Sequence, residues 1–297
     1  MISGKTNHPI VFFGTEEFSL MTLRALHEDG YDIRAVVTKP DTARGRGHKL
    51  TKSPVKLYAE SAGLIVWQPH KLSDIAEDLA NIRPVTGVLV SYGKIIPQSI
   101  LDLFSPGIIN LHPSLLPRYR GPSPIESAIL HGDNETGISI MQLSAAMDAG
   151  PVYVQERVNL SGHETKPELY RKLGELGAAK LLATLPGIID GSVAALSQDN
   201  SAATYCDLLT KDDGSLDPST MTAIEAERRV RAFIGFPKTR LEILGEQRVI
   251  TKAHLTDIAK TPLDVAFSDG TFLSVDELIA PSGKTLSSTS FLNGYSA

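Results

Sequence analysis

The sequence predicts an α/β protein whose larger part is a Rossmann-like, mostly parallel sheet and whose smaller, C-terminal part is β-rich. Short and almost wholly apolar runs, such as residues 10–13 and 87–90, alternate with stretches of helical periodicity. Such alternation is typical of a parallel sheet that helices cover on both faces. Beyond about Tyr205 the pattern changes to short β-like runs separated by turn signals such as Asp269-Gly270. A chain of 297 residues suits two domains of unequal size.

Composition excludes several classes of protein. With 42% hydrophobic and 21% charged residues, the chain has enough apolar side chains to build a globular core. The net charge of −5 means that any surface for a polyanion must be local. Cys206 is the only cysteine, which excludes a disulfide framework and fits a reducing compartment. No apolar run approaches the roughly 20 residues of a membrane span, and residues 1–8 lack an apolar signal core, so we expect a cytoplasmic protein without a membrane partner.

The first predicted unit is a strand followed by a turn and a helix. Residues 10–13 form the strand, Gly14 makes the turn, and Thr15 is the expected N-cap of a helix that ends near Gly30. A Rossmann-like βαβ unit begins in this way. However, a single glycine stands at the turn, so the G-x-G-x-x-G dinucleotide pattern is absent and we do not expect NAD.

A basic segment follows the second predicted strand, residues 33–38. Residues 39–52 have no apolar periodicity and are predicted to be a loop. From Lys39 to Lys56 there are six Lys or Arg residues against one Asp. A charge run is usually a solvated surface. Here the contrast with the acidic whole chain, and the glycines that let backbone approach a ligand, favour phosphate binding.

Helix and strand signals are clear on the C-terminal side of this segment. Ser53 and Pro54 are the expected N-cap and first residue of a helix that Gly63 ends. Residues 64–67 are predicted to form the next strand, and residues 73–81 a helix before the strand at 87–90.

A polar pair occupies the end of the next predicted strand, residues 108–112. The strand begins after the turn pair Pro106-Gly107 and ends where Pro113 removes a backbone donor. Because side chains two apart on a strand share a face, Asn110 and His112 point the same way. Burying polar side chains costs free energy unless they form hydrogen bonds, so a polar pair at the end of a buried strand indicates a functional site.

A second polar group follows the neighbouring strand. Ser91, Tyr92 and Gly93 come directly after residues 87–90. In open parallel sheets, ligands bind outside the carboxyl ends of the strands. We therefore expect Ser91, Tyr92 and Gly93 to line one crevice with the polar pair.

The rest of the chain predicts two domains joined by a linker. We expect residues 1–190 to form the first domain, residues 191–206 a linker without periodicity, and residues 207–297 a small barrel or sandwich. The remaining predicted elements are a helix at 124–131, strands at 137–143 and 152–158, a long helix at 166–189, a helix at 221–233, and strands at 239–243, 249–253, 263–267 and 271–275.

Asn110, His112 and Asp148 are the strongest candidates for chemistry. An imidazole beside a carboxamide can donate hydrogen bonds to an oxygen that becomes negative in a tetrahedral intermediate. An aspartate within reach can hold that imidazole in the needed protonation state, or take a proton through water. These groups suit acyl transfer from a bound donor to an amine without a covalent enzyme intermediate.

Three other interpretations of the same residues stay open. Ser114, His112 and Asp148 could form a hydrolase triad, although there is no G-x-S-x-G elbow and Ser114 lies only two residues from its base. A zinc site is a weaker interpretation than the triad, because no H-E-x-x-H motif or close histidine pair occurs, and no metal is expected. His112 could also be a hydrogen-bonded packing residue.

Residues 110–121, which read NLHPSLLPRYRG, together with Met147-Asp148-Ala149-Gly150, resemble the formyltransferases that use 10-formyltetrahydrofolate. The resemblance implies that Asn110, His112 and Asp148 are catalytic. It also implies that the folate donor contacts the next loop, and the crevice residues are expected to contribute to the same site. The candidate donor-binding residues are Ser114, Leu115, Leu116 and Pro117 in the loop, with Ser91, Tyr92 and Gly93.

Within that family, the chain shows a narrower resemblance to the methionyl-tRNA formyltransferases, and this resemblance covers nearly the whole chain. This narrower resemblance rests on residues 12–15, on the basic segment, and on residues 231–237. It implies a loop that enters the acceptor-stem major groove, an OB-like C-terminal domain, and initiator methionyl-tRNA as the partner, with no obligate protein partner. The candidate tRNA contacts are Arg44, Arg46, His48 and Lys49.

Other acceptors and activities fit the same catalytic domain. The main alternative is a formyltransferase that acts on an amino-sugar nucleotide or another small amine. A non-catalytic folate- or RNA-binding module and a hydrolase that releases formate are the others.

The C-terminal domain departs from the family pattern in two respects. It looks short after Thr251, and residues 207–297 hold ten Lys or Arg against thirteen Asp or Glu. Because phosphate contacts dominate affinity for nucleic acid, we expect the basic segment to supply more of the attraction for tRNA.

Overall fold

The computed structural model describes residues 8–44 and 49–295. The chain divides into two compact units, and neither is continuous in sequence. Within the described residues, no helix combines the length and the apolar character needed to cross a bilayer. The first unit comprises Met1–Pro122, Thr136–Val158 and Tyr170–Cys206, and the second Ser123–Glu135, Asn159–Leu169 and Asp207–Ala297.

The first 189 residues hold nine strands and six helices of the described structure. In chain order these are β1 (Ile10–Gly14), α1 (Glu17–Glu28), β2 (Ile33–Val37), β3 (Thr42–Arg44), β4 (Lys49–Thr51), α2 (Pro54–Ser61), β5 (Val66–Trp67), α3 (Ala76–Asn81), β6 (Thr86–Val90), α4 (Gln98–Leu101), β7 (Ile108–His112), α5 (Pro124–His131), β8 (Glu135–Gln142), β9 (Val152–Asn159) and α6 (Lys166–Ile189).

A seven-stranded sheet in the order β5-β2-β1-β6-β7-β8-β9 is the centre of the first unit. The five strands from β5 to β7 run parallel, and β8 is antiparallel to β7. The predicted Rossmann-like, mostly parallel sheet is therefore confirmed. Because β1, β6 and β7 are parallel neighbours, their carboxyl ends meet at one edge of the sheet.

Close packing between these strands explains one glycine. A Cβ at Gly87 of β6 would lie 2.6 Å from Cγ1 of Ile108 on β7, so no larger side chain fits there without movement. Every residue of β1 is buried, and the Phe13 ring packs edge-on against Tyr92 and Phe104 at centroid distances of 5.6 and 5.8 Å. The site edge is thus supported by a dense apolar core.

The predicted N-cap of α2 is present. Ser53 Oγ accepts a hydrogen bond from the Lys56 backbone N–H at 3.1 Å, and it also contacts Thr38 Oγ1 at 3.0 Å. Pro54 follows as the first helical residue, where a missing N–H costs nothing.

Replacing Ser53 with alanine should lower the free energy of unfolding by about 0.5–2 kcal/mol, because a capping oxygen at a buried helix start is lost. Urea unfolding followed by far-ultraviolet circular dichroism measures this loss. Ser61→Ala, at an exposed serine near the other end of the same helix, is the matched control and should change stability by less than about 0.5 kcal/mol. Equal midpoints for the two variants would contradict the capping role.

Three predictions about local structure are wrong. Glu16, not Thr15, is the N-cap of α1, because the Thr15 hydroxyl donates instead to the Tyr92 carbonyl at 3.1 Å. The segment predicted as a loop contains the antiparallel hairpin β3–β4, whose polar strands carry no apolar alternation to reveal them. The strand predicted at 64–67 is only the two-residue, half-buried edge strand β5.

The second unit contains an antiparallel sheet, which confirms the predicted β-rich C-terminal part. Its elements are α7 (Ala223–Ala232), β10 (Thr239–Ile243), β11 (Glu246–Thr256), β12 (Asp264–Ala266), β13 (Phe272–Ile279), β14 (Thr285–Ser287) and α8 (Ser288–Tyr295). The strands lie in the order β10-β11-β13-β12, with β14 beside β13. Helix α7 and the sheet share one apolar core, which includes Val230, Leu241 and Leu273.

The domain boundaries expected at residues 190 and 206 stay a prediction. By its contacts, the segment expected to be a linker groups with the first unit, whereas Ser123–Glu135 and Asn159–Leu169 group with the second. The OB-like connectivity of the second unit likewise stays a prediction.

Candidate active site

The strand β7 carries two polar side chains to the edge where β1 and β6 also end. Asn110 and His112 are each 5% exposed, and strand alternation puts them on one face. Pro113 follows directly, so β7 ends at His112 as the sequence predicts. Strand β7 is paired with β6 on one side and with β8 on the other, and this pairing fixes the backbone that carries the two side chains.

His112 is held between a carbonyl and a carboxylate. Its Nε2 lies 2.9 Å from the Tyr119 carbonyl oxygen, and its Nδ1 lies 3.7 Å from Asp148 Oδ2. A carbonyl only accepts, so Nε2 carries a proton in this contact. Nδ1 is then the nitrogen that faces the carboxylate and can gain or lose a proton. The gap of 3.7 Å is longer than a hydrogen bond and can be bridged by a water or a substrate group.

Asp148 lies in a strained turn. Its φ of 46° is in the left-handed region, which residues with a side chain seldom adopt. Asp148 Oδ2 accepts a hydrogen bond from the Gly121 N–H at 2.8 Å, and this bond directs the carboxylate toward His112. Strain of this kind clusters at functional sites because the surroundings must impose it.

The Asn110 side chain has donors and an acceptor that no other described residue uses. The residue is only 5% exposed, and within residues 8–44 and 49–295 its side chain has no hydrogen-bond partner. Its amide atoms are not among the fully buried polar atoms, so its donors and acceptor can be reached by a ligand.

The loop after His112 is fixed by its own hydrogen bonds. Ser114 Oγ donates to the Arg118 carbonyl at 2.6 Å, and Ser139 Oγ donates to the Ser114 carbonyl at 2.7 Å. The Leu116 N–H donates to the same Ser139 oxygen at 3.1 Å. Because the Ser114 hydroxyl and His112 Nε2 are committed to different carbonyls, the hydrolase triad is not assembled. A donor-binding role for Ser114, Leu115, Leu116 and Pro117 stays a prediction.

The turn after β6, residues 91–93, contributes mainly backbone groups to the site edge. The Tyr92 side chain is buried in the core, and burial raises the pKa of its hydroxyl to about 12. Ser91 and Gly93, at φ values of 44° and 71°, form the turn itself. The φ of Gly93 lies in the left-handed region, which side chains seldom adopt, so glycine suits this position. Donor binding by Ser91, Tyr92 and Gly93 stays a prediction.

Two of the six cations in the basic segment are already paired. Lys56 Nζ lies 2.8 Å from Asp41 Oδ2, and Lys52 Nζ lies 2.7 Å from Glu60 Oε2. The hydrogen bond from Lys56 lowers the pKa of the Asp41 carboxyl, so this pair persists at neutral pH. The segment therefore offers a ligand fewer free charges than its sequence suggests.

The expected tRNA contacts lie at or beyond the limit of the described structure. Arg44 and Lys49 are backbone partners in the β3–β4 hairpin, and they are the last pair of described residues on either side of residues 45–48. Arg46 and His48 lie outside the described residues. The role of all four in binding tRNA stays a prediction.

Sequence reasoning missed three partners of the candidate catalytic residues. The Tyr119 carbonyl and the Gly121 N–H act through the backbone, so their side chains give no signal. Gln198 Nε2 donates to the carbonyls of Asp148 and Gly150, both at 2.7 Å, from a segment that the sequence predicts to be a linker. Among residues 8–44 and 49–295, no three metal-ligating side chains gather in one place.

Sequence comparisons identify the family. The family model described as formyl transferase matches residues 8–185. The methionyl-tRNA formyltransferase of Myxococcus xanthus (strain DK1622) is 38% identical over 299 residues, which cover 96% of this chain and 95% of that relative. The methionyl-tRNA formyltransferase of Desulfotalea psychrophila is 44% identical over 240 residues, or 80% of this chain and 74% of that relative.

Solved structures share the fold. The N-formyltransferase from Helicobacter canadensis, in complex with folinic acid and dTDP-3-aminofucose, matches with a TM-score of 0.69 at 18% identity, over 90% of this chain and 98% of that chain. HypX from Aquifex aeolicus in complex with tetrahydrofolic acid matches with a TM-score of 0.66 at 16% identity, over 95% of this chain and 46% of that chain. At such low identity the likeness concerns architecture alone. The sequence matches go further, and the chain belongs to the formyl transferase family, among the relatives of the methionyl-tRNA formyltransferases.

Proposed function

We propose that this protein transfers a formyl group from 10-formyltetrahydrofolate to the amino group of methionyl-initiator tRNA. The observation that carries the proposal is the match to proteins named methionyl-tRNA formyltransferase along nearly the full length of both chains. The placement of Asn110, His112 and Asp148 at one sheet edge supports the chemistry. We expect the reaction in the cytoplasm, where initiator tRNA is used.

The residues at the sheet edge suit a direct transfer. The amine attacks the formyl carbon, so a new carbon–nitrogen bond forms and the bond to the donor nitrogen breaks. The amine loses one proton, and the donor nitrogen takes up one proton as it leaves. Asn110 donates from its carboxamide to the oxygen that becomes negative. His112 donates to the same oxygen from Nδ1, which requires the imidazolium form because Nε2–H is held by Tyr119. Asp148 stabilises that imidazolium and accepts the proton of the amine, directly or through water.

The unpartnered amide of Asn110 is a physical reason why the site suits a formyl donor. Asn110 has a carboxamide without a partner among the described residues, and the hydrogen-bonded loop from Ser114 to Pro117 follows the same strand end. A formyl oxygen supplies the acceptor that the Asn110 amide lacks. Holding donor and amine side by side also contributes to the rate, by about 7–11 kcal/mol of barrier in well-oriented reactions.

The experiment that tests the function compares acceptors. The protein is incubated with 10-formyltetrahydrofolate and methionyl-initiator tRNA, uncharged initiator tRNA, an amino-sugar nucleotide, or no acceptor. We expect formylation of the charged tRNA alone. Formylation of the amino sugar instead would support the alternative acceptor, and release of formate without any acceptor would indicate a hydrolase.

Neutralising Arg44 and Arg46 together should weaken binding of methionyl-initiator tRNA and reduce its salt dependence. Each lost phosphate contact lowers the slope of log K against log salt by about 0.7–0.9. Filter binding between 50 and 200 mM salt measures both quantities. Lys52→Ala is the matched control, because that ammonium is paired with Glu60.

The two acceptors give opposite results in this experiment. If the true acceptor is an amino-sugar nucleotide, the double variant keeps its activity and shows no change in salt slope. An unchanged affinity for methionyl-initiator tRNA would therefore contradict the role of the basic segment.

A further inference from the structure

The turn that presents Asp148 has little support of its own. Residues 145–147 are exposed, and the Ala146 carbonyl accepts from Ser144 Oγ at 3.0 Å and from the Ala149 N–H at 3.3 Å, neither of which involves Asp148. The left-handed φ of Asp148 adds strain to this turn. Something outside the turn must therefore hold it in place.

Gln198 supplies that support with all of its hydrogen-bonding capacity. Its Nε2 donates to the Asp148 carbonyl and to the Gly150 carbonyl, each at 2.7 Å, so it binds both ends of the tripeptide Asp148-Ala149-Gly150. Its Oε1 accepts from Arg120 Nη2 at 2.8 Å and from Arg120 Nε at 3.1 Å. A primary amide has two donor hydrogens and two acceptor lone pairs, and all four are used here.

Arg120 fixes Gln198 in turn. The residue is only 2% exposed, and its guanidinium also donates to Asn200 Oδ1 at 2.7 Å and to the Tyr205 hydroxyl at 3.3 Å. Its backbone is tied at both sides, since Arg120 N–H donates to the Thr204 carbonyl and Cys206 N–H donates to the Arg120 carbonyl, each at 2.9 Å. A buried cation with neutral acceptors is costly, which indicates that it is kept for its geometry.

Arg120 also lies between the backbone groups that hold the two candidate catalytic residues. The preceding residue, Tyr119, accepts from His112 Nε2, and the following residue, Gly121, donates to Asp148 Oδ2. Arg120 and Gln198 therefore link the backbone next to His112 with the backbone of Asp148.

We propose that Gln198, held by Arg120, is the positioning residue that keeps the Asp148 carboxylate facing His112. We call Arg120, Gln198 and the carbonyls of Asp148 and Gly150 the Gln198 clamp. Neither clamp side chain touches the reacting atoms in this assignment. Its kinetic consequence rests on the proposed function, whereas its structural consequence at His112 does not.

The test replaces Gln198 with leucine, which keeps the size and removes all four hydrogen bonds. We expect kcat for formylation of methionyl-tRNA to fall about 10- to 100-fold, because a misplacement of about 1 Å at a reacting group costs on that order. KM for the donor should stay within about threefold, since Asp148 and not the donor site moves. Ser201→Ala, at an exposed residue of the same segment, is the matched control and should behave as the parent protein.

Two further variants separate positioning from folding. Gln198→Glu keeps the contact to Arg120 but sets a carboxylate against two carbonyls, so it should lose kcat as the leucine variant does. Gln198→Asn is shorter by one methylene and can keep only part of the clamp, so its kcat should lie between that of Gln198→Leu and the parent. If the leucine variant fails to fold, Gln198→Glu takes its place in every measurement.

A spectroscopic measurement that does not depend on activity tests whether Gln198 positions Asp148. The imidazole resonances of His112, assigned by their loss in His112→Ala, are recorded in a proton–nitrogen correlation spectrum. We expect Gln198→Leu to shift them toward their positions in Asp148→Asn, and Ser201→Ala to leave them unchanged. Unchanged His112 resonances in Gln198→Leu, or a kcat within twofold of the parent, would overturn the proposal. If the parent itself does not formylate methionyl-tRNA, the proposed function fails, and the His112 resonances alone then test the clamp.

Discussion

Replacing His112 with alanine should lower kcat for formyl transfer by about 10³- to 10⁴-fold and leave the fold intact. The imidazole supplies a donor to the developing oxyanion and a partner for proton transfer, and each such contribution is worth about 10²-fold or more. Asp148→Ala should have a comparable effect, because it removes the carboxylate that faces His112 Nδ1 at 3.7 Å. Steady-state kinetics with both substrates saturating measures the loss.

His163→Ala is the matched control for this experiment, since His163 is exposed and belongs to the second unit. It should match the parent in kcat. Thermal unfolding of His112→Ala and Asp148→Ala shows whether the fold is kept. Near-parent activity in either site variant would overturn the assignment of roles to His112 and Asp148.

Replacing Asn110 with alanine should lower kcat by about 10²- to 10³-fold, as the loss of one oxyanion donor does in comparable sites. Asn110→Asp is the sharper variant, because it keeps the shape and replaces the donor with a negative oxygen that repels the oxyanion. It should lose at least as much as the alanine variant. Binding of the folate donor should weaken less than kcat falls, because the interaction is strongest in the transition state.

Asn81→Ala, at the exposed end of α3, is the matched control for the asparagine variants. A larger effect on donor affinity than on kcat would assign Asn110 to ground-state binding. An Asn110→Asp enzyme with close to parent kcat would show that this side chain does not stabilise the oxyanion.

Much of the site edge could be predicted from the sequence because local rules determine it. Strand alternation places Asn110 and His112 on one face, and Pro113 sets the residue at which β7 ends. The Ser53 cap follows from the hydroxyl and the proline beside it. Each of these features depends on residues within about four positions in the chain, which is the range over which such signals act.

The rest of the site depends on contacts between distant residues, and those leave no local pattern. Gln198 reaches Asp148 from a segment without periodicity, 50 residues along the chain. The Thr15 hydroxyl bonds to the Tyr92 carbonyl, 77 residues away, and so does not cap α1. The support of His112 by the Tyr119 carbonyl is independent of the side chain at residue 119. Contacts between distant residues therefore determine the groups that support the candidate catalytic side chains.

Backbone strain explains why the candidate site needs hydrogen bonds from neighbouring groups. Ser91, Tyr119 and Asp148 all have positive φ values and all lie at or beside the site edge. Such conformations cost about 1–3 kcal/mol each and persist only where neighbouring groups impose them. The hydrogen bonds of Gly121, Gln198 and Arg120 are such neighbours for the Asp148 turn.

A single-turnover measurement tests the central claim most directly. Excess protein is preloaded with labelled 10-formyltetrahydrofolate and mixed with methionyl-initiator tRNA, and formyl-methionyl-tRNA is quantified with time for the parent and for His112→Ala. We predict one formyl group transferred for each donor consumed, and a transfer step at least about 10³-fold slower in the variant, with both substrates still bound. Donor consumed without formylated tRNA, or equal rates for the two proteins, would contradict direct transfer at this site.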